Sequence, residues 1–118
     1  MDISFFREYC LNKKGVTEEF TFDKETLVYK VMGKMFALTE ADTFTSINLK
    51  CDPELAVELR EQYPAIKPGY HMNKKHWNTI DMDGSVKDAH VCQWIDHSYD
   101  LVVAGLKKAD RRLLEGSM

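Results

Sequence analysis

The chain has too few cysteines, too widely spaced, for a disulfide framework or a zinc ribbon. Its 118 residues include three cysteines, Cys10, Cys51 and Cys92. They lie about forty residues apart and form no CxxC pair. Isolated cysteines of this kind are typical of small buried apolar residues in a reducing compartment. We therefore expect three free thiols and no disulfide.

Long apolar runs and a leader segment are also missing. No stretch approaches the run of about eighteen apolar residues that suggests a membrane-spanning helix. The segment from Met1 to Phe5 has neither the basic head nor the apolar run of a signal peptide. The sequence therefore predicts a cytoplasmic protein with no membrane partner.

A strong charge of either sign is missing as well. The chain has 16 lysine and arginine residues against 19 aspartate and glutamate residues, a formal net charge of −3. This balance counts against generic nucleic-acid binding, which usually requires a basic domain, although a local patch can still bind phosphates. The length and the 44% apolar share predict a single globular domain over residues 1–118.

What the sequence does contain begins with a helical pattern that gives way to alternation. Asp2 as N-cap and Gly15 as stop predict a first helix over residues 3–13. Between residues 16 and 50 the apolar period changes from 3.6 to 2, which predicts four strands joined by short polar turns. These strands cover residues 18–22, 26–32, 34–39 and 44–50.

Two more helices and a fifth strand follow the four predicted strands. Residues 52–54, Asp-Pro-Glu, are a typical helix start, and Pro64 ends that helix. Residues 77–82 alternate as a strand. A capping box that begins at Ser85 predicts a last helix of about twenty residues, with Gly105 near its end.

Residues 107–118 form a basic C-terminal extension that either continues or restarts the last helix. The whole order of elements, with mostly hairpin connections, predicts an α+β fold of two layers. Its antiparallel sheet should have about five strands, with the helices packed on one face and the other face partly open.

Several blocks of the sequence resemble a known family. Two are especially specific: Gly33-Lys34-Met35-Phe36 and Tyr70-His71-Met72-Asn73-Lys74-Lys75-His76-Trp77. The order and spacing of these and neighbouring blocks are similar to those of the MmcQ/YjbR family of small bacterial proteins, over residues 15–106. The resemblance implies a two-layer fold like that of frataxin. It also implies DNA binding of the "double-wing" type.

The candidate DNA-binding residues lie on the predicted strands and in residues 67–77. Lys30 and Lys50 fall on the solvent side of their strands, and Lys34 follows a hairpin bend as a wing tip would. The whole candidate set is Lys30, Lys34, Lys50, Lys67, Lys74, Lys75, His76 and Trp77, with Trp77 available for base stacking. The alternative is that these lysines simply solvate an open sheet face.

A second hypothesis is a groove for a small molecule or a protein partner. Its candidate residues combine an aromatic floor with convergent polar groups: Tyr70, His71, Asn73, Trp77, Ser98 and Tyr99. The arrangement of charge distinguishes the two hypotheses. A continuous lysine surface would favour DNA, whereas scattered lysines beside a concave pocket would favour a ligand.

Neither metal binding nor catalysis is favoured by the sequence. His71 and His76 are five residues apart, which places them on opposite faces of an extended segment, and no cysteine or carboxylate lies between residues 67 and 76. No GxSxG, HExxH, GxGxxG or Walker motif is present. Consecutive helical residues such as Ser98, Tyr99 and Asp100 cannot converge on one substrate atom. We therefore expect no metal, no cofactor and no catalytic residue.

Overall fold

A six-stranded antiparallel sheet forms the centre of the structure, a computed structural model that describes residues 1–116. Along the sheet the strands are ordered β1-β2-β3-β4-β6-β5. They are β1 (Val16–Glu19), β2 (Thr26–Val31), β3 (Lys34–Glu40), β4 (Ser46–Lys50), β5 (Ile66–Pro68) and β6 (Trp77–Asp81). The predicted α+β fold is confirmed, with six strands instead of about five. The additional strand, β5, has three residues, too few to show a period-two pattern.

Four helices accompany the sheet: α1 (Ile3–Leu11), α2 (Pro53–Gln62), α3 (Asp88–Ala104) and α4 (Lys108–Glu115). The predicted caps of the first two are present, because side-chain oxygens of Asp2 and Asp52 accept hydrogen bonds from amides of the first turns. The C-terminal extension restarts as α4, whose Leu114 is buried in the core. Its last two positions, Ser117 and Met118, lie outside the described residues.

The predicted capping box of the last long helix is wrong. Helix α3 begins at Asp88 after Lys87, which makes no side-chain cap hydrogen bond. The amide and hydroxyl of Ser85 instead donate to Asp83 Oδ1, at 2.9 and 2.6 Å. Asp83 and Gly84, with a φ of +84° at Gly84, form a tight turn. The Ser85 side chain is bonded within this turn and is therefore not available to cap the helix.

The first strand also differs from its prediction. Strand β1 ends at Glu19, opposite Val28, and the chain then leaves the sheet. Phe20 and Phe22, which fall within the predicted strand of residues 18–22, are exposed in the loop that follows. The strand begins and ends earlier in the chain than predicted, and Glu18 explains this shift. Its carboxylate occupies an inward position, where it accepts hydrogen bonds from Arg7 and from the Tyr29 hydroxyl. The loop of residues 20–25 is therefore free to contribute side chains to a surface beside the sheet.

The two faces of the sheet differ sharply. One face packs on the helices and contributes to the main core, with fully buried side chains such as Tyr29, Ile47 and Ile80. The other face, which we call the open face, carries a small separate apolar cluster of Val28, Leu38 and Trp77. The predicted arrangement, with helices on one face only, leaves this second face to solvent and to loops.

A β-bulge in β3 and one helical hydroxyl join the sheet to α3. Tyr29 pairs with Ala37 and Lys30 pairs with Met35, so Phe36 is an extra residue. The buried Ser98 hydroxyl on α3 donates to the Phe36 carbonyl at 2.5 Å and accepts from the Lys50 amide at 2.9 Å. One side chain therefore satisfies two backbone groups where β3 and β4 separate.

Removing this hydroxyl should destabilise the fold. We expect Ser98→Ala to lower the free energy of unfolding by about 2–4 kcal/mol, because it leaves two buried backbone groups without partners. Urea denaturation measures the loss. Gln93→Ala, at an exposed position of the same helix, is the control and should change stability by less than about 0.5 kcal/mol. Equal midpoints for the two variants would contradict this role of Ser98.

Candidate functional site

The strand register divides the open face into an acidic end and a basic end. At the acidic end Thr26 lies opposite Glu40, and Ser46 lies opposite Asp81. At the basic end Lys30 lies opposite Met35, and Lys50 lies opposite Trp77. A middle row separates these ends and consists of Val28, Leu38, Asn48, Thr79 and Lys67. The surface is therefore polarised along the strands.

A pocket of about 360 Å³ opens over the acidic end and the middle row. Its floor is formed by strand residues: Thr26, Leu38, Thr39, Glu40, Ser46 and Asn48. Its walls come from the loop before β2 and the loop before β6: Phe22, Asp23, Tyr70, His71 and Met72. Because β3 and β4 lie between β2 and β6, the two loops flank the floor. We call this the open-face pocket.

Arg60 on α2 holds the second of these loops, residues 69–76, against the sheet. Its Nε donates to Asn78 Oδ1 at 2.7 Å, and its Nη2 donates to the carbonyls of Lys74 and Trp77. The buried Asn78 side chain in turn donates to the Ala56 carbonyl. A guanidinium can donate to several acceptors in a fixed geometry, so these hydrogen bonds define where the loop ends and β6 begins.

Further hydrogen bonds fix the beginning of the same loop. The Tyr70 amide donates to Thr79 Oγ1 at 2.9 Å, and that hydroxyl donates to Asn48 Oδ1 at 2.5 Å. A Cβ at Gly69 would lie 2.8 Å from Trp77 Cβ, so only glycine allows the chain this close to β6. His71 has φ +58°, an uncommon left-handed conformation for a residue other than glycine. The pocket wall is therefore well determined.

Asn73 has a structural role in this loop. Its side-chain oxygen accepts from the amides of Lys75 and His76, and its carbonyl accepts from the amide of Trp77. It does not line the open-face pocket. Asn73 therefore stabilises the turn from within the loop.

The carboxylates of the pocket lack cationic partners among residues 1–116. Asp23 accepts from the amides of Glu25 and Thr26 at 2.8 and 2.7 Å, and these two amides hold the pKa of Asp23 below its usual value. Glu40 accepts from the Thr43 hydroxyl. Neither carboxylate forms a salt bridge with a lysine or arginine in the described residues.

Two candidate DNA-binding lysines are engaged by carboxylates. Lys30 lies 3.0 Å from Glu19, and Lys67 lies 2.8 Å from Asp81. The hydrogen bond from Lys30 lowers the pKa of the Glu19 carboxyl, and the hydrogen bond to Asp81 raises the pKa of the Lys67 ammonium group. A phosphate would have to compete with these pairs. The candidate basic surface is therefore weaker than the number of lysines suggests.

The remaining candidates divide into exposed and buried residues. Lys34, Lys74 and Lys75 are exposed, although the Lys74 ammonium also donates to the Gly69 carbonyl. Lys50 and His76 are half-buried near the basic end of the open face, where the Cys51 amide donates to the His76 carbonyl. Trp77 is only 8% exposed and packs with Val28 and Leu38, so its predicted availability for base stacking is wrong.

The predicted groove does not form as a unit. Tyr70 and His71 line the open-face pocket, but Ser98 and Tyr99 lie on α3, which packs on the opposite face of the sheet. The Tyr99 hydroxyl donates to the Lys14 carbonyl, and its ring packs edge-on against Phe36. Tyr99 and the segment 70–77 therefore lie on opposite sides of the sheet and cannot line one groove.

Several pocket residues were not identified from the sequence as site residues. Ser46 and Asn48 had a usable signal, since their position in the alternation predicts that they face away from the helices. Asp23 was assigned only to a turn. Phe22 and Glu40 gave no signal, because their position depends on where β1 and β3 leave the sheet.

No group of three or more histidine, cysteine, aspartate or glutamate side chains within residues 1–116 is placed to hold a metal ion. Over the same range, no helix has the length and apolar character required to cross a membrane. The three cysteines are free thiols, and burial raises the pKa of Cys51 to about 11. They offer no reactive centre to the pocket, which they do not line.

Comparison with known sequences and structures decides the family. The YjbR family model matches residues 11–101. The chain belongs to the YjbR family. A relative from Escherichia coli K12, named an uncharacterized protein YjbR, is 36% identical over 115 residues and is matched over 97% of this chain and 98% of its own length.

Solved structures agree with the family and the fold. A crystal structure of a Deinococcus radiodurans protein superposes with a TM-score of 0.89 at 40% identity, covering 96% of this chain and 87% of that one. A crystal structure of a Pseudomonas syringae protein gives a TM-score of 0.72 at 28% identity, covering 86% and 98%. The resemblance noted in the sequence is thereby confirmed at the level of family and fold.

The role of Arg60 in holding the pocket wall can be tested. We expect Arg60→Ala to lower the free energy of unfolding by about 1.5–3 kcal/mol, because its hydrogen bonds are charge-assisted. Hydrogen exchange should also become faster at the amides of Met72 and Trp77, which are bonded within the loop. Glu61→Ala, at an exposed position of the same helix, is the control. Unchanged exchange at both amides would show that Arg60 does not hold the loop.

Proposed function

We propose that this YjbR-family chain is a non-enzymatic binding protein that holds a small molecule in the open-face pocket. The observation that carries the proposal is a concave space of about 360 Å³ on the sheet face that the helices leave uncovered. Its volume falls within the usual range for small-ligand sites, and its walls are ordered by the contacts of Arg60 and Thr79.

The lining offers polar groups for orienting a ligand. The Ser46 hydroxyl and the Asn48 amide nitrogen line the pocket and make no side-chain hydrogen bond within the described residues. The left-handed conformation of His71 at the wall adds support, since backbone strain tends to persist at functional positions. Apolar surface from Leu38 and Met72 provides the complementary part of such a site.

The same lining supports binding over catalysis. A nucleophile would need a hydrogen-bonded base, and neither Ser46 nor Thr26 makes a side-chain hydrogen bond to His71 in the described part of the chain. The two carboxylates are positioned by turn contacts with Thr26 and Thr43. These contacts suit a fixed recognition surface.

The pocket hypothesis predicts a ligand response that depends on Ser46. A thermal-shift screen of metabolites should yield compounds that raise the melting temperature of the wild-type protein. Ser46→Leu, which fills the floor, should weaken their binding at least about tenfold by calorimetry, equivalent to 1.4 kcal/mol. Thr45→Leu, at the exposed neighbouring position outside the lining, is the control. A flat screen, or equal binding by both variants, would count against the proposal.

A second candidate function is DNA binding at the basic end of the open face. The observation favouring it is that the exposed Lys34 lies at the tip of the β2–β3 hairpin, at the same end of the sheet as Lys50. Lys34, Lys50 and Lys75 also lack salt bridges within residues 1–116. The paired state of Lys30 and Lys67 and the burial of Trp77 make this the weaker candidate.

If DNA binds at this end, a triple lysine variant should bind DNA more weakly, and its affinity should depend less on salt. Titration of labelled duplex at low and physiological salt should show binding by the wild type, with the slope of log K against log salt reduced by about 2–3 in Lys34→Ala/Lys50→Ala/Lys75→Ala. The control, Lys87→Ala/Lys107→Ala/Lys108→Ala, removes equal charge from exposed positions on the helices. No wild-type binding at low salt, or equal loss in both variants, would exclude this surface.

A further inference from the structure

We propose that the open-face pocket selects an organic cation, a molecule with an ammonium group attached to a compact apolar or aromatic body. This inference rests on the proposed ligand-binding function and specifies the chemical class of the ligand. It is carried by the juxtaposition of uncompensated carboxylates, exposed aromatic rings and the apolar surface of Leu38 and Met72 in one concavity.

The carboxylates supply the charge that an ammonium group would require. Asp23 is held in place by two backbone amides and remains ionised near neutral pH, because those hydrogen bonds favour its charged form. Glu40 uses Oε2 to accept from Thr43, which leaves Oε1 without a hydrogen bond in the described residues. Asp81, at the same end of the sheet, is by contrast already paired with Lys67.

The aromatic rings provide a second feature that suits a cation. Phe22 is 61% exposed and Tyr70 is 69% exposed, and each lies in one of the two loops that form the pocket walls. The face of an aromatic ring attracts ammonium groups through its quadrupole. Large rings exposed at a pocket rim lose apolar contact with water when a ligand covers them, so they also suit the body of the ligand.

The basic residues of the open face are segregated from the pocket. The lining contains two carboxylates and one imidazole, that of His71, and no lysine or arginine from the described residues. Lys30 and Lys50 lie at the other end of the strands, and Lys67, in the middle row on the edge strand β5, is engaged by Asp81. An anionic ligand would therefore face uncompensated carboxylates without a cationic partner nearby, whereas a cation meets complementary charge.

The floor matches the remainder of such a ligand. Leu38 and Met72 form apolar surface beside the hydroxyl of Ser46 and the amide of Asn48. A body of about the size of a substituted benzene ring would fit the volume and would leave the ammonium group at the Asp23 and Glu40 end. The polar floor groups would then distinguish among amines that carry further hydroxyl or carbonyl groups.

A series of phenylethyl compounds that differ in their terminal group tests the inference directly. The probes are 2-phenylethylamine, 2-phenylethanol and 3-phenylpropionate, which share an aromatic body and carry positive, zero and negative charge. We expect the amine to bind about fivefold to tenfold more tightly than the alcohol by NMR titration, and the carboxylate to bind more weakly than the alcohol. The preference of the amine should decrease as salt is added.

Variants identify the charges responsible. Glu40→Gln and Asp23→Asn each keep one acceptor oxygen, which can still accept from the Thr43 hydroxyl or from the two amides bonded to Asp23 Oδ1, so the turns should fold. Each variant should reduce the affinity for the amine about threefold to tenfold. Asp42→Asn, at an exposed position of the same turn as Glu40 but outside the lining, should leave the affinity unchanged. Binding of the alcohol should be similar in all three variants.

The possible failures are distinguishable. Equal or tighter binding of the alcohol or the carboxylate at the open-face pocket, sensitive to Ser46→Leu, would overturn the charge preference and leave the proposed binding function intact. The same conclusion holds if the amine binds but Asp23→Asn and Glu40→Gln have no effect. A failure of all three probes, together with a flat metabolite screen, would overturn both proposals.

Discussion

The Ser98 hydroxyl bonded to Phe36 and Lys50 is the contact on which the arrangement of the two layers depends. The β-bulge at Phe36 directs two consecutive residues, Phe36 and Ala37, into the core on the helix side. It also leaves backbone groups of β3 and β4 that the ladder does not satisfy. Because α3 supplies the missing partner, the helix is fixed over the middle of the sheet. All of the open face is consequently left to loops.

This constraint explains why the open face divides into a packed half and a concave half. Residues on the open face must find cover from loops, and Trp77 does so by packing with Val28 and Leu38 under Met35 and Met72. The buried Trp77 side chain fills this half of the open face, and its indole is not accessible for stacking on a nucleic-acid base. The other half, around Ser46 and Glu40, receives no large side chain from the sheet and remains open as the pocket.

Much of this fold could be predicted from the sequence, because alternation and caps are local signals. The errors arose where distant contacts compete with those signals. The bulge at Phe36 adds a residue to β3 that no local sequence signal indicates, and the Tyr99 hydroxyl donates to the carbonyl of Lys14, in the turn between α1 and β1. The wall residues Tyr70 and His71 could be identified because they lie in a distinctive block. Phe22 and Glu40 could not, since β1 ends before Phe22 and β3 continues to Glu40, and alternation alone does not determine where a strand ends.

The salt bridges of the open face determine which of its charges can act on a ligand. Lys30 on β2 and Lys67 on the edge strand β5 are each engaged by a carboxylate, Glu19 or Asp81. These pairs reduce the long-range field of the surface, so what remains is local: lysines at the hairpin end and carboxylates at the pocket end. A polyanion and an organic cation would thus be attracted to opposite ends of the same strands. Within the described residues, the pocket end combines its charge with a concavity that includes apolar surface from Leu38 and Met72. That combination is why we favour a small cationic ligand over an extended polyanion.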